Sequence, residues 1–359
     1  MKILVSNIGS TSFKFKLFDQ ADGERVIASG GADRIGHSGS VIKLVLGDKK
    51  REESRDFADH GACIRFVMDQ LVASGVLADV KALDAVAFKA VMGGECGAVE
   101  RVDAELLARM ERFVPVAPAH NPPYIAAMRM FGEVLGDTPL VACFEPGFHK
   151  TNPPRRRLYA TPPYWAQDHG VQRYGFHGAS HRYIATKMAE LAPDAKRLIS
   201  CHLGGSSSLC AIRDGESIAT SMGLSPQSGL PQSSRCGDFD AYGLKMMAAE
   251  TGRDLDDLLA ELGSEAGLAA MSGTSGDMRD IRDGADKGDA KCELTYAVFA
   301  TAIRDYLGAY LVELGGADAI CFTGGIGQHD VELRAAVLDG LKFAGIELHA
   351  SANANTSEG

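Results

Sequence analysis

No Cys-x-x-Cys pair occurs in this chain, although it holds eight cysteines. That absence removes the common spacing of a structural zinc site and of a dithiol redox motif. In a chain of 359 residues it leaves free thiols in a reducing, cytoplasmic compartment as the expectation. No apolar run approaches the ~20 residues that a membrane span needs. The opening MKILVSNIGSTS lacks the long apolar core of a secretion signal. A long basic block is missing too, and the net charge is −10. Nucleic acid is therefore excluded as a partner, because neutralising phosphates needs clustered Lys and Arg. The one basic cluster, Arg155-Arg156-Arg157, follows two prolines and reads as a solvated loop. No G-x-S-x-G elbow is found, which removes the serine-hydrolase reading.

What is present is ordinary globular composition, 45% hydrophobic and 23% charged, in a chain long enough for two domains. Residues 2–7 are apolar and β-branched, and residues 12–18 alternate Phe13, Phe15 and Leu17 with Lys14 and Lys16. This pattern predicts a hairpin with one buried face, turning at Ile8-Gly9-Ser10. Further strands are expected at 84–91, 139–144, 196–203, 207–213, 216–222 and 318–323. Helices are expected at 57–73, 102–112, 180–190, 238–250, 254–262 and 290–314. Strands mixed with helices give an α/β class. The order strand, Gly/Ser turn, strand occurs twice, at 2–18 and at 196–213 around Gly204-Gly205-Ser206. We therefore expect two similarly built halves, 1–149 and 150–359, with a cleft between them. The stretch from Lys150 to Pro154 reads as the linker. The last ten residues, ASANANTSEG, read as a loop or disordered tail.

A Gly/Ser turn gathers backbone N–H groups and hydroxyls, donors suited to phosphate oxygens. One such turn alone is a plain hairpin turn; two in matching places favour phosphate. A third loop, Thr323-Gly324-Gly325-Ile326-Gly327, follows a strand and precedes a helix expected to open near His329-Asp330, where amides would meet an anion. His177 and His181 stand four apart, but no third ligand has metal-site spacing, so histidine ligation of a metal is disfavoured. Arg235, in Ser233-Ser234-Arg235-Cys236-Gly237-Asp238, suits a planar anion or pairs with Asp238 at a helix start. Cys236 beside it is a weak nucleophile candidate, because no histidine has the spacing to activate it.

The motifs SNIGSTSFKFKLFD, AVMGGE, AHNPPYIAAM, FEPGFHKT, RYGFHGASHRYIA, CHLGGSSSLCAI, GLPQSSRCGDFD, SGTSGDMRDI and FTGGIG occur in that order. They resemble the acetate and propionate kinases, the acetokinases of the sugar kinase/Hsp70/actin superfamily, over residues 1 to about 349. The resemblance implies two ribonuclease H-like, actin-like ATPase domains with an active-site cleft. It also implies phosphoryl transfer from ATP to a small carboxylate without a covalent enzyme intermediate, with Mg2+ (or Mn2+) and a homodimer. Asn7, with Ser10 and Ser12, matches the first phosphate loop and the metal. Glu145, His177, Arg235 and Lys89 match the catalytic positions. Lys89, Val91, His120, Phe176 and Pro226 match the carboxylate side. Lys14, His202, Gly204, Gly205, Ser206, Asp277, Met278, Arg279, Gly325, Ile326 and Gly327 match the nucleotide side.

The chain departs from the family pattern in several places. Lys89 stands for an arginine, which keeps the charge but loses the fork geometry. Met92 stands for a histidine, Glu145 for an aspartate, and Gly205-Ser206 for an Asn-Gly pair. Ala119 replaces a leucine of the acyl pocket, so propionate is expected to compete with acetate. Family members carry a further strand and helix with a metal-holding Glu beyond the point matched by Gly359. Three expectations stay open on that account: a metal held differently, a catalytically impaired nucleotide- or acyl-phosphate-binding relative, or a truncated form. A pyrophosphate-using variant is a further alternative.

Overall fold

Phe13, Phe15 and Leu17 are buried while Lys14 and Lys16 between them are exposed. That period of two places one face of the strand on a core. In the computed structural model, which describes residues 1–9 and 11–355, this strand is β2 (Ser12–Asp19), paired antiparallel with β1 (Lys2–Ile8). The register runs from Lys2 opposite Asp19 to Ile8 opposite Phe13, as the alternation predicts. Ser10 of the turn lies outside the described residues, as do residues 356–359.

The chain forms two compact units, Met1–Gly147 and Phe148–Gly359. The first holds an eight-stranded sheet. Its elements are β1, β2, β3 (Arg25–Asp33), β4 (Val41–Leu46), β5 (Lys49–Ser54), α1 (His60–Ala73), β6 (Ala85–Ala90), β7 (Val99–Arg101), α2 (Ala104–Arg112), α3 (Asn121–Leu135) and β8 (Leu140–Phe144). The sheet order is β5-β4-β3-β2-β1-β6-β8-β7, with β1∥β6 and β6∥β8. β5 (KKREES) forms one edge and is exposed along nearly its whole length. Its pairing with β4, absent from the sequence expectation, comes from the hairpin register and not from any apolar face. Phe131 of α3 packs on Phe88 and Phe13, ring centroids 5.1 and 6.0 Å apart.

The helices expected from sequence have none over 121–135, the stretch that opens Asn121-Pro122-Pro123. In the structure both prolines sit in the first turn, where the missing N–H costs nothing and the fixed φ favours the helix. Asn121 opens that helix and is fully buried. Its Nδ2 donates to the carbonyls of Met92 and Met110, both at 2.8 Å, and its Oδ1 accepts from the Met92 amide at 3.3 Å. Replacing Asn121 with alanine leaves those backbone groups unpaired in the core. The expected cost is about 2–4 kcal/mol of stability, to be read as a lower denaturant midpoint in equilibrium unfolding.

The second unit contains α4 (Pro154–Arg157), α5 (Pro163–Gln167), α6 (Gly178–Leu191), β9 (Arg197–His202), β10 (Ser208–Arg213) and β11 (Glu216–Thr220). It continues with α7 (Tyr242–Thr251), α8 (Leu255–Ser264), α9 (Gly267–Ser272), α10 (Met278–Asp286) and α11 (Ala290–Leu314). It ends with β12 (Ala319–Thr323), α12 (Gly324–His329), α13 (Val331–Leu338) and α14 (Ala350–Ala354). Its sheet order is β11-β10-β9-β12, with β9∥β12. β9 and β10 are buried almost continuously, the signature of a sheet covered on both faces. The long helix α11 supplies Phe299, Ile303 and Leu307 to that core. The order β3-β2-β1-β6 in one unit and β11-β10-β9-β12 in the other repeats two antiparallel pairings followed by a parallel one. The recurrence read from the two Gly/Ser turns is therefore a recurrence of a four-strand order, and both units have the actin-like α/β build.

Three local expectations are corrected. The arginine cluster is no loop but the one-turn helix α4, held by Glu313, which accepts from Arg155 and Arg156. Residues 350–354 are helical, because buried Arg334 needs acceptors: its Nε donates to Asn353 Oδ1 at 2.7 Å and its Nη2 to the Asn353 carbonyl at 2.9 Å. The third glycine loop is itself helical, as α12 from Gly324, and the helix expected near His329-Asp330 follows it as α13, capped by Asp330.

Candidate active site

Each unit is taken by itself. In the first, Asn7 lies at the end of β1, opposite Lys14 on β2, and both are exposed. The β1 pattern buries Leu4, Ser6 and Ile8, which puts Asn7 on the other face. Lys89 and Glu145 come from the parallel neighbours β6 and β8 or the turn that follows. Nζ of Lys89 is 3.1 Å from Oε1 of Glu145. The second carboxylate oxygen, Oε2, is buried and has no hydrogen-bond partner among the described residues. A buried carboxylate oxygen without a donor is costly, and a ligand or cation is what ordinarily satisfies it. Val91 and Met92 follow β6 into the core. Met92 thus occupies as packing the position where the family pattern has a histidine. His120 precedes the first residue of α3 without a side-chain capping bond, and Ala119 beside it is exposed.

In the second unit the glycine loops converge. Gly204, Gly205, Asp277, Met278, Arg279, Gly325 and Ile326 line one cavity of about 770 Å3. Gly327 and Ser206, expected with them, do not line it. Gly327 is buried, and its amide donates to the carbonyl of Leu203 at 3.2 Å, as does that of Ile326 at 3.0 Å. Gly324 has φ of +77°, and a Cβ there would stand 2.4 Å from the Leu203 carbonyl oxygen. The glycine run therefore locks strand to helix as well as bordering the cavity. Arg279 and Asp277 form an exposed ion pair at 2.6 Å that holds the Asp277 carboxyl at about 2. Reading the sequence by motif missed Arg282, Asp283 and Asp286, which line the same cavity. Their spacing from Arg279 by three, four and seven on α10 is the signal that would have placed them on one helix face.

Arg235 is half-buried. Its Nη1 lies 3.1 Å from Gln232 Oε1 and 3.4 Å from both Ser206 Oγ and the Pro226 carbonyl. All of these partners are neutral. Asp238, the alternative partner, instead accepts from Tyr306 and from the Gly229 amide. Burial alone lowers the Arg235 pKa, with no anion to offset it. Burial also pushes the Cys236 thiol up, against a nucleophilic role.

His177 sits at φ +56° just before α6, a backbone conformation that non-glycine residues rarely adopt. Its neighbours fix it there. The preceding Phe176 carbonyl is 2.9 Å from Nε2 of buried His149, whose Nδ1 is 2.8 Å from Ser217 Oγ. Gly175 has no room for a side chain, since a Cβ would stand 2.4 Å from Thr220 Cγ2 and 2.7 Å from His149 Cδ2. A carbonyl only accepts, so His149 carries its proton on Nε2, and burial lowers its pKa to about 4. The His177 ring lies tilted by 39° against that of His202, centroids 4.3 Å apart, and Nδ1 of His202 lies 2.9 Å from Ser180 Oγ. Phe176 and Pro226 are both buried. Among the described residues no group of three or more His, Cys, Asp or Glu is placed to hold a metal ion. All eight cysteines are free.

The sequence model of the acetokinase family matches residues 2–359. The propionate kinase of Citrobacter rodentium is 37% identical over 356 residues, 98% of this chain and 88% of that protein. The acetate kinase of Bacillus subtilis is 37% identical over 350 residues, 96% of this chain and 88% of that protein. Among solved structures, Porphyromonas gingivalis acetate kinase superposes with a TM-score of 0.85 at 31% identity, covering 98% of this chain and 90% of that one. A propionate kinase from Francisella tularensis gives 0.88 at 28%, covering 99% and 91%.

Proposed function

The chain belongs to the acetokinase family and is a phosphotransferase with a carboxyl group as acceptor, and from that premise we propose that it moves the terminal phosphoryl of ATP reversibly onto acetate or propionate. The carboxylate oxygen forms a bond to the terminal phosphorus while the bond from that phosphorus to the bridging oxygen breaks. Acyl phosphate and ADP result. One observation carries the reading: Arg235 is a half-buried guanidinium whose hydrogen-bond partners are all neutral. Such a cation is a preorganised site for an anion in which charge moves during reaction.

The remaining residues take roles consistent with their placement. In this reading Lys89 and Glu145 act on the acyl acceptor, and Val91, His120, Phe176 and Pro226 serve its recognition. His177 donates a hydrogen bond to the phosphoryl. Gly204, Gly205, Asp277, Met278, Arg279, Gly325 and Ile326 border the nucleotide cavity, and Ser206, Gly327, Lys14 and His202 support nucleotide binding. Magnesium is commonly held by one or two protein oxygens plus phosphates and waters, so a small donor set fits it. The Asn7 side chain and the unpartnered Glu145 oxygen would hold it, and it would neutralise phosphate charge. We further read the protein as a cytoplasmic homodimer. The free thiols and the apolar Tyr242, Met246 and Met247 exposed on α7 support those two points.

Hydroxylamine trapping of acyl phosphate tests the proposal. With ATP and Mg2+, acetate and propionate should both yield hydroxamate, their kcat/KM within about tenfold. One methylene is worth about tenfold or more where a pocket rejects it, and Ala119 leaves space that a leucine would fill. No hydroxamate from either acid, or product only with pyrophosphate as donor, overturns the reading.

A further inference from the structure

Buried behind His177 is a chain of side-chain hydrogen bonds to which the family pattern assigns no role. Nδ1 of His177 lies 2.8 Å from Ser208 Oγ. The same Oγ lies 2.9 Å from Nε2 of His181, and Nδ1 of His181 lies 2.9 Å from Ser200 Oγ. Ser200, Ser208 and His181 are all fully buried. Burial lowers the His181 pKa well below its ordinary value, so its ring is neutral and carries one proton.

A hydroxyl has one proton to give and a neutral ring one, and among the described residues the two rings are the only side-chain partners of buried Ser208, so its proton goes to one of them and two directions of donation along the chain remain. The end of the chain decides between them. Among the described residues, Ser200 makes no side-chain hydrogen bond other than that to His181. If the His181 Nδ1 carried the proton, Ser200 would accept it, and the Ser200 hydroxyl hydrogen would be buried without an acceptor. That is costly. If Ser200 donates to Nδ1, every proton is placed. His181 then donates from Nε2 to Ser208, and Ser208 donates to Nδ1 of His177.

We infer that Ser200, His181 and Ser208 form a one-way relay that keeps the proton of His177 on Nε2, so that this histidine meets its ligand as a hydrogen-bond donor and not as a base. Ser208 and His181 are thus positioning residues. They fix tautomer and ring angle, while His149 fixes the backbone on the other side. The inference rests on the reading of His177 as a phosphoryl contact only for its consequence in turnover, not for the proton's place.

The test uses the full chain labelled with 15N-histidine. Long-range 1H–15N correlation should show His177, assigned by its loss in His177→Gln, with Nε2 protonated and Nδ1 bare. In Ser208→Ala the Nδ1-protonated form should appear, kcat should fall about tenfold to a hundredfold with little change in KM, and Ser208→Thr should restore both. Ser200→Ala, which removes only the terminal donor, should release the tautomer in the same direction and serves where Ser208→Ala folds poorly by circular dichroism. A wild-type spectrum with Nδ1 protonated, or one unchanged by Ser208→Ala and Ser200→Ala, overturns the relay. The expected spectra with unchanged kcat uphold the relay and remove His177 from the reaction.

Discussion

Replacing Arg235 with alanine is expected to lower kcat for acyl phosphate formation about a thousandfold, roughly 4 kcal/mol of barrier, while leaving the fold intact. The two halves of that expectation have one origin. The guanidinium is half-buried, its partners are Gln232, Ser206 and the Pro226 carbonyl, and all are neutral. No ion pair is broken by its removal, so the melting temperature should hold or rise, because a desolvated charge is taken away. What is lost is a fork of donors already aimed, whose worth grows as charge spreads over the transferring phosphoryl. Arg235→Lys should recover only part of the rate, since an ammonium keeps the charge without the planar fork. Turnover within tenfold of wild type in Arg235→Ala would show that the charge serves something other than the reaction.

Glu145→Gln is expected to lower kcat about a hundredfold or more, with a smaller effect on the KM for ATP than on that for the carboxylate. The exchange keeps size and shape but removes the charge. Oε1 of Glu145 already pairs with Lys89, whereas Oε2 is buried and has no partner among the described residues. A group left in that state within a folded core points to a ligand. Lys89→Met separates the two contributions: it should destabilise the protein, because it strands a mostly buried carboxylate, and should raise the carboxylate KM. Steady-state kinetics across acetate and propionate would measure both. A Glu145→Gln enzyme retaining half its turnover would mean that the pair with Lys89 is only a structural tie.

How much of this was legible beforehand differs from element to element, for physical reasons. The hairpins at β1–β2 and β9–β10 were legible because burial on one face, or on both, writes a period into the residues. The meander β3–β4–β5 was not, since Gly30-Gly31 interrupts the pattern of β3 and β5 is charged at all but its last residue. α3 was hidden by prolines whose position in the first turn a sequence scan discounts. At the candidate site, glycine loops and Arg235 were visible as local motifs. The relay behind His177 was not, because its members stand 19 to 31 residues apart and meet only when α6 packs on β9. The orphan oxygen of Glu145 has no sequence signature either. It is an absence of partners, known only once the neighbours are placed.

The edges of the larger sheet have a consequence for the chain's life in a crowded solution. One border strand, β5, offers Lys49, Lys50, Arg51, Glu52 and Glu53 in succession. The other, β7, is three residues long. An incoming strand would find at one border a ladder of mixed charges that matches no partner but its own neighbour, and at the other too few free backbone groups to begin pairing. An eight-stranded sheet with open margins is a template for sticking to its own kind. Here the margins are finished in a way that stops growth at the eighth strand.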